Sequence, residues 1–323
     1  MNLPRRLFLH LTAVLTVLPA ATRIASAQIY PTRPVHIIVG FPPGFTPDIV
    51  ARLIAQPLSE RLSQQIIVDN RPGAASNIAT ELVVKASPDG YSLLLSSGAN
   101  AINETLYENL NFDFVRDLVP VASIVRTPLL MTVNPSVPAA TVAEFIAYAK
   151  ANPRKINMAS GGIGTTPHLA GELFQMMTGV DLVHVPYRIN SMPDLLAGQV
   201  QMTFAPVPTV IGFVRAGKLR AIAVTSATRL EVLPDIPTVA DTVPGYQAAT
   251  WSGISAPKNT PAGIVNTLNK DVNASLADPK TVERFADLGA MPMPMTPTEF
   301  GKFIADETEK WAKVIRAANI KLE

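Results

Sequence analysis

Twice along this chain a short strand-like segment leads into a glycine-bearing loop and then into a stretch with helical periodicity, the first strand being nearly all apolar and rich in β-branched residues. Val35–Val39 is followed by the loop Gly40–Pro47. Asp48–Leu62 comes next, with Ile49, Val50, Leu53, Ile54, Leu58 and Leu62 on one broad face and Pro57 expected to kink it. Lys155–Ala159 is followed by Ser160–Thr165 and a helix over Thr166–Thr178. A continuous apolar run is what a strand covered on both faces requires. The pattern therefore predicts an α/β protein of two similar lobes, each a parallel sheet covered by helices. In open α/β sheets ligands bind beyond the carboxyl ends of the strands, so two facing lobes make a cleft.

The remaining segments extend the alternation. Strands are expected at Ile66–Val68, Tyr91–Leu95, Leu118–Val125, Leu129–Val133, Val183–Val185, Val200–Phe204, Leu219–Thr225 and Ala249–Ala256. Helices are expected at Ala75–Ala86, Thr141–Ala151, near Asp194–Leu196, at Thr209–Ala216, from Pro261 to about Leu276, and at Thr298–Ala318. Thr141 with Glu144 three residues on is a capping-box pattern.

The amino terminus bears on compartment and charge. Arg5 and Arg6, an apolar stretch from Leu7 to Ala21 broken by Pro19, and Ala25-Ser26-Ala27 read as an export signal cleaved before Gln28. Pro4–His10 also resembles a twin-arginine signal. The alternative is an uncleaved anchor, for which the stretch is short against a span of roughly 20 residues. Cleavage removes Arg5, Arg6 and Arg23, taking the 27 basic residues down to 24 against 25 acidic ones. A nearly neutral chain without a basic run is a poor partner for nucleic acid. The absence of cysteine excludes disulfides, thiolate metal sites, thiol nucleophiles and a lipid-anchored cysteine.

Both loops bring free backbone N–H groups to a helix start, where the helix dipole favours an anion such as a carboxylate. In the first, Phe41, Pro43, Gly44, Phe45, Thr46 and Asp48 are candidate ligand contacts, although Thr46 or Asp48 can instead cap the helix. In the second, Ser160, Gly161, Gly164, Thr165 and Thr166 are candidates. Gly162-x-Gly164 superficially resembles a dinucleotide loop, but the third glycine is replaced by Pro167. Ser97, Ala99 and Asn100 follow another strand and are expected to reach the same cleft, as are Tyr187, Arg188 and Ala205 in the second half. Arg188 can pair a carboxylate, although a solvated arginine on a loop is the commoner case. His168 and Glu172 share a helical face, but two ligands at that spacing need a third, so core or capping roles are expected for them. Trp251 and Tyr246 are expected to pack or to serve the hinge. No nucleophile elbow, zinc-protease motif or phosphate loop is present, so no catalysis, cofactor or metal is expected.

Taken in order, many short segments resemble the Bug-type solute-binding proteins of tripartite tricarboxylate transporters. They include Tyr30-Pro31-Thr32-Arg33-Pro34-Val35, Phe41-Pro42-Pro43-Gly44, Asp69-Asn70-Arg71-Pro72-Gly73-Ala74 and Pro88-Asp89-Gly90-Tyr91. Ser160–Thr165, His168–Phe174, Val185-Pro186-Tyr187-Arg188, Leu195–Gln199, Ala216–Ala221, Leu233–Thr238 and Val243–Tyr246 continue the series. The resemblance implies a periplasmic Venus-flytrap of type II-like build with the ligand cleft between lobes. It implies lobe 1 over residues 28–126 and 254–323, lobe 2 over 127–253, and two hinge crossovers. It also implies a monomer that binds a small carboxylate, largely through backbone N–H groups, for membrane permease subunits or a sensor protein. Three departures concern the cleft. Gly44-Phe45 stands where the family usually has Gly-Gly, Ala205 stands where an acidic residue is usual, and the segment after Arg188 is short and lacks the usual glycine.

Overall fold

The computed structural model describes residues 30–187 and 190–322. The signal segment expected over residues 1–27, and Arg188, lie outside the described residues. The first unit comprises β1 (Val35–Val39), α1 (Thr46–Leu62), β2 (Ile66–Asn70), α2 (Asn77–Val84) and β3 (Ser92–Ser97), with β1 paired in parallel to both β2 and β3. β1 is buried at every position but His36, as its nearly apolar run requires. α1 continues through Pro57 as one helix.

β3 passes directly into α3 (Gly98–Leu106), and a short α4 (Phe114–Asp117) precedes β4 (Leu118–Val133). The second unit comprises α5 (Val142–Ala151), β5 (Asn157–Ser160), α6 (Thr166–Thr178), β6 (Val183–Pro186), α7 (Met192–Leu196), β7 (Met202–Pro206), α8 (Val207–Arg215) and β8 (Arg220–Val224). Here β5 is the parallel centre, flanked by β6 and β7. The chain returns through β9 (Ala249–Pro257), α9 (Ala262–Leu276), α10 (Pro279–Asp287) and β10 (Met291–Pro292), and closes with α11 (Pro297–Ala317).

The sheets are mixed rather than purely parallel. Each parallel triplet is joined to the other through β9 and β4, which run antiparallel to each other, in the order β2-β1-β3-β9-β4-β7-β5-β6. The sequence reading divides β4 into two segments around Arg126-Thr127-Pro128. The structure makes them one strand of 16 residues, because those three residues pair with Trp251, Thr250 and Ala249 of β9. From Leu129 onward β4 pairs instead with β7 and β8. The strand thus leaves the first sheet and enters the second at Pro128/Leu129, where proline has no N–H to add to a ladder.

Two cores cover the faces of the first sheet. One joins β1, α1 and α9 (Ile37, Ile54, Leu58, Leu268), and the other joins α2, α3 and α11 (Val83, Ala101, Phe300, Ile304). The largest core of the second sheet gathers Phe145, Leu169, Phe174, Phe204 and Tyr246. It also takes in Ile102 and Leu106 of α3 and Trp311, Val314 and Ile315 of α11. The closing helix therefore buries its first half in one lobe and its second half in the other.

Candidate ligand cleft

The first loop is stiffened by its own helix. Asp48, in the first turn of α1, reaches back to accept the Gly44 N–H at 2.8 Å. Arg52 Nε donates to both Asp48 oxygens at 3.0 and 3.1 Å, and Asn70 Nδ2 donates to Asp48 Oδ1 and to the Phe41 carbonyl, each at 2.9 Å. Burial pushes the Asp48 carboxyl up. The hydrogen bonds from Arg52, Gly44 and Asn70 outweigh it and hold the group below its ordinary value. The carboxylate is thus fully engaged within lobe 1, and one backbone donor of the loop, that of Gly44, is taken. Pro43, Gly44, Phe45 and Thr46 stand at the surface; Phe45 is 58% exposed, a large apolar ring on the rim.

The segment Ser97–Asn100 is the first turn of α3, not a loop. Asn100 Oδ1 accepts the Ser97 N–H at 2.8 Å while its Nδ2 donates to Thr80 Oγ1 at 2.8 Å. Its amide is buried in this capping role and does not point into open space. Ala99 is half-buried beside it. A Cβ placed on Gly98 would lie 3.4 Å from Trp251 Nε1 and 3.7 Å from Thr166 Oγ1. The starts of α3 and α6 therefore meet against the returning strand β9. Trp251 is otherwise packed between Phe300 and Phe303, with ring centroids 5.8 and 5.4 Å away.

The second loop hangs on two histidines. Ser160 Oγ lies 2.6 Å from His184 Nε2 and accepts the Gly162 N–H at 3.1 Å. Thr165 Oγ1 donates to the Gly162 carbonyl at 2.8 Å, and the Gly164 N–H donates to His168 Nδ1 at 3.1 Å. The two imidazoles stack with centroids 3.6 Å apart and planes 13° from parallel. Burial, reinforced by the neighbouring His168, pushes His184 down to about 4, against the opposing pull of Glu172. His168 Nε2 faces Glu172 Oε1 at 3.4 Å. Among the described residues no group of three or more His, Cys, Asp or Glu side chains could hold a metal ion.

A cavity of about 200 Å³ opens at the carboxyl ends of β5, β6 and β7 and is lined by Ser160, Gly161, Tyr187 and Ala205 among the expected residues. Phe204 and Pro206, which flank Ala205 at the end of the Val200–Phe204 strand, line it as the sequence leads one to expect, while Pro167, Met192, Thr203 and Thr209 were not singled out from the sequence. Their signal was the helix α8 beginning immediately after β7, which turns the strand end into a helix start. Tyr187 is held in the wall by donating to Asp194 Oδ2 at 2.7 Å, a bond that pushes its phenol up to about 12. Gly161 has open space where a side chain would be, whereas Gly164, at φ +75°, faces Leu106 of α3. No residue of the first loop lines this cavity. A larger recess of about 550 Å³ between α1 and α10 is lined by Gln56, Glu60, Glu283 and Arg284. It lies away from the strand ends and from both loops, so the smaller cavity is the better candidate.

Residues 50–320 match the family described as the tripartite tricarboxylate transporter family receptor. The chain belongs to this receptor family. It is 37% identical to Protein BugT of Bordetella pertussis over 97% of this chain and 99% of that one. The solved structure of an R. palustris protein with adipate has a TM-score of 0.77 at 37% identity, covering 90% of this chain and 99% of the other. MatC from Rhodopseudomonas palustris, with bound malate, gives 0.73 at 30% identity over 88% and 100%. The receptor thus shares the two-lobe α/β architecture of solved solute-binding proteins, and no helix among its described residues is long and apolar enough to cross a membrane.

Proposed function

We propose that this receptor captures a small organic carboxylate in the periplasm and passes it, unaltered, to permease subunits in the membrane. The carrying observation is the cavity at the ends of β5 and β7, onto which the starts of α6 and α8 open. Two helix starts facing one cavity supply N–H donors and positive dipole ends to an anion. The adipate and malate held by its relatives are consistent with that chemistry. The candidate contacts are the Phe41–Asp48 rim, Ser97 and Ala99 at the start of α3, Ser160–Thr166, Tyr187, Arg188 and Ala205. Lobe 1 over 28–126 and 254–323 and lobe 2 over 127–253 remain our assignment, supported by the change of partners within β4. The receptor acts as a monomer in this reading.

The Ser160–His184 pair invites comparison with a hydrolytic dyad. Its imidazole is pushed down to about 4, a weak base at neutral pH, and stacks on a second histidine. A positioning role suits it better.

The test is a thermal-shift panel of mono-, di- and tricarboxylates that includes adipate and malate. A ligand at a hundred times its Kd stabilises the native state by about 2.7 kcal/mol. A panel in which nothing raises the melting temperature, at millimolar ligand, overturns the proposal.

A further inference from the structure

We propose that His168 and His184 are positioning residues: as a stacked, neutral pair they hold the glycine loop Ser160–Thr166 in the shape that receives the ligand, and protonation of the pair releases it. The inference rests on the reading of that loop as part of the ligand site. Neither imidazole lines the cavity among its described residues, so both act through the loop, whose Ser160 and Gly161 do line it.

Three of the seven loop residues are glycine, and Gly162 and Gly164 lie at positive φ. Thr165 closes a turn on the Gly162 carbonyl within the loop, and two histidine anchors tie that turn to the lobe. His184 Nε2 takes the first residue through Ser160 Oγ at 2.6 Å, and that hydroxyl in turn accepts the Gly162 N–H. His168 Nδ1 takes the fifth residue by accepting the Gly164 N–H at 3.1 Å. The second bond defines the state of His168. A ring nitrogen that accepts carries no proton, so the His168 proton sits on Nε2, toward Glu172 Oε1. Protonating Nδ1 would set one N–H against another and drive Gly164 away. Rings stacked 3.6 Å apart cannot both carry charge without strong repulsion, which couples one anchor to the other.

Among the surroundings, α11 packs on α6 and brings Asp306, Glu309, Lys310 and Lys313 around Leu173 and Met176. Within α6 the titratable groups are His168 and Glu172, and these are the groups that act on His184. β5 and β7 contain no titratable residue. Across the interface, Glu104 of α3 is occupied in accepting the Phe114 N–H.

The experiment needs no ligand. Hydrogen exchange of the full exported chain, read by mass spectrometry on peptides covering 160–166 and corrected for intrinsic rates, is followed from pH 8 to pH 4. Peptides from β1 serve as the internal reference for global folding. Loop protection is expected to stay level near neutrality and fall about tenfold by pH 4, the scale of one or two lost hydrogen bonds. The double variant His168→Asn, His184→Gln keeps an amide able to accept or donate at each anchor and cannot titrate there, so its protection is expected to stay flat. His168→Ala is expected to lose protection at every pH. A flat wild-type profile with β1 still protected overturns the proposal, as does a His168→Ala loop as protected as wild type. A parallel calorimetric titration with adipate separates the two readings. If adipate binds, the wild type should weaken about tenfold more than the double variant between pH 7 and 4, and equal weakening overturns the proposal. If neither adipate nor any panel member binds, the transport reading fails and the exchange profile still decides the role of the histidines.

Discussion

At the scale of single residues, this chain separates groups that build the cleft from groups left open to a ligand. Asp48 is of the first kind. Its folded value is held below the ordinary 3.8, so its contribution to stability is present above pH 3.8 and is lost as pH falls through the lower folded value. Asp48→Asn is therefore expected to lower stability at pH 7 by about 1–3 kcal/mol, through the unmatched Arg52. Its melting temperature should also fall less steeply than wild type below pH 3.8. Calorimetric melts across pH 2.5–7 check both parts. Gly161 is of the second kind. Gly161→Leu should weaken carboxylate binding by at least about tenfold while barely moving the melting temperature, because its side chain would enter open space. Gly164→Trp is a poor choice of block for the second loop. A Cβ there lies 2.2 Å from Leu106 Cδ2 on a backbone of positive φ, so the variant should lose stability before it says anything about ligand. Gly161 and Gly164 look alike in the sequence, because which one faces the cavity depends on a helix more than fifty residues away.

At the scale of elements, legibility followed periodicity. β1 and α6 have the bounds their patterns predict. The cap of α5 forms with Thr141 accepting the Glu144 N–H, while Glu144 reaches the Ala140 N–H, one residue beyond the expected box. α3 was hidden because Gly98-Ala99-Asn100 reads as a loop and Asn100 finds its partner, Thr80, on a different helix. α4 was missed because it spans only four residues; α10 was missed although Asp278 caps it, Pro279 opens it, and Thr281 and Phe285 are buried four residues apart. Antiparallel β4 and β9 could not be told from parallel strands, since a strand covered on both faces is apolar in either orientation. Asn100→Ala tests the value of the hidden cap. It should cost about 1–2 kcal/mol and fray the start of α3, visible as faster exchange over residues 97–102. The candidate cleft was legible as strand ends followed by helix starts. The engagement of Asp48 and Asn100 was not, because their partners Asn70 and Thr80 are distant in sequence.

At the scale of the whole molecule, β4 changes sheets, the chain returns through β9, and α11, like α3, adds side chains to cores of both sheets. Phe300 and Ile304 of α11 lie in a core of the first lobe, while Trp311, Val314 and Ile315 lie in the main core of the second. Trp311 is fully buried, and its indole N–H donates to Glu307 Oε2 at 3.0 Å. Trp311→Ala is expected to cost about 3–5 kcal/mol. Hydrogen exchange should accelerate in α6 and β7, far from the substitution in sequence, while β1 and β2 keep their protection. Uniform acceleration across both lobes would show that α11 does not partition its support in this way.

The straddling helix also bears on how such a receptor can be rebuilt or can diversify. A fragment cut at the two strand crossovers would carry the second lobe away from Trp311, Val314 and Ile315, three buried members of its core. A chimera that takes its second lobe from one relative and its carboxyl-terminal helix from another would join core surfaces never fitted to each other. Recombination between relatives is therefore constrained at a place far from the ligand: the last turns of α11 must be inherited with a lobe from which more than forty residues of chain separate them.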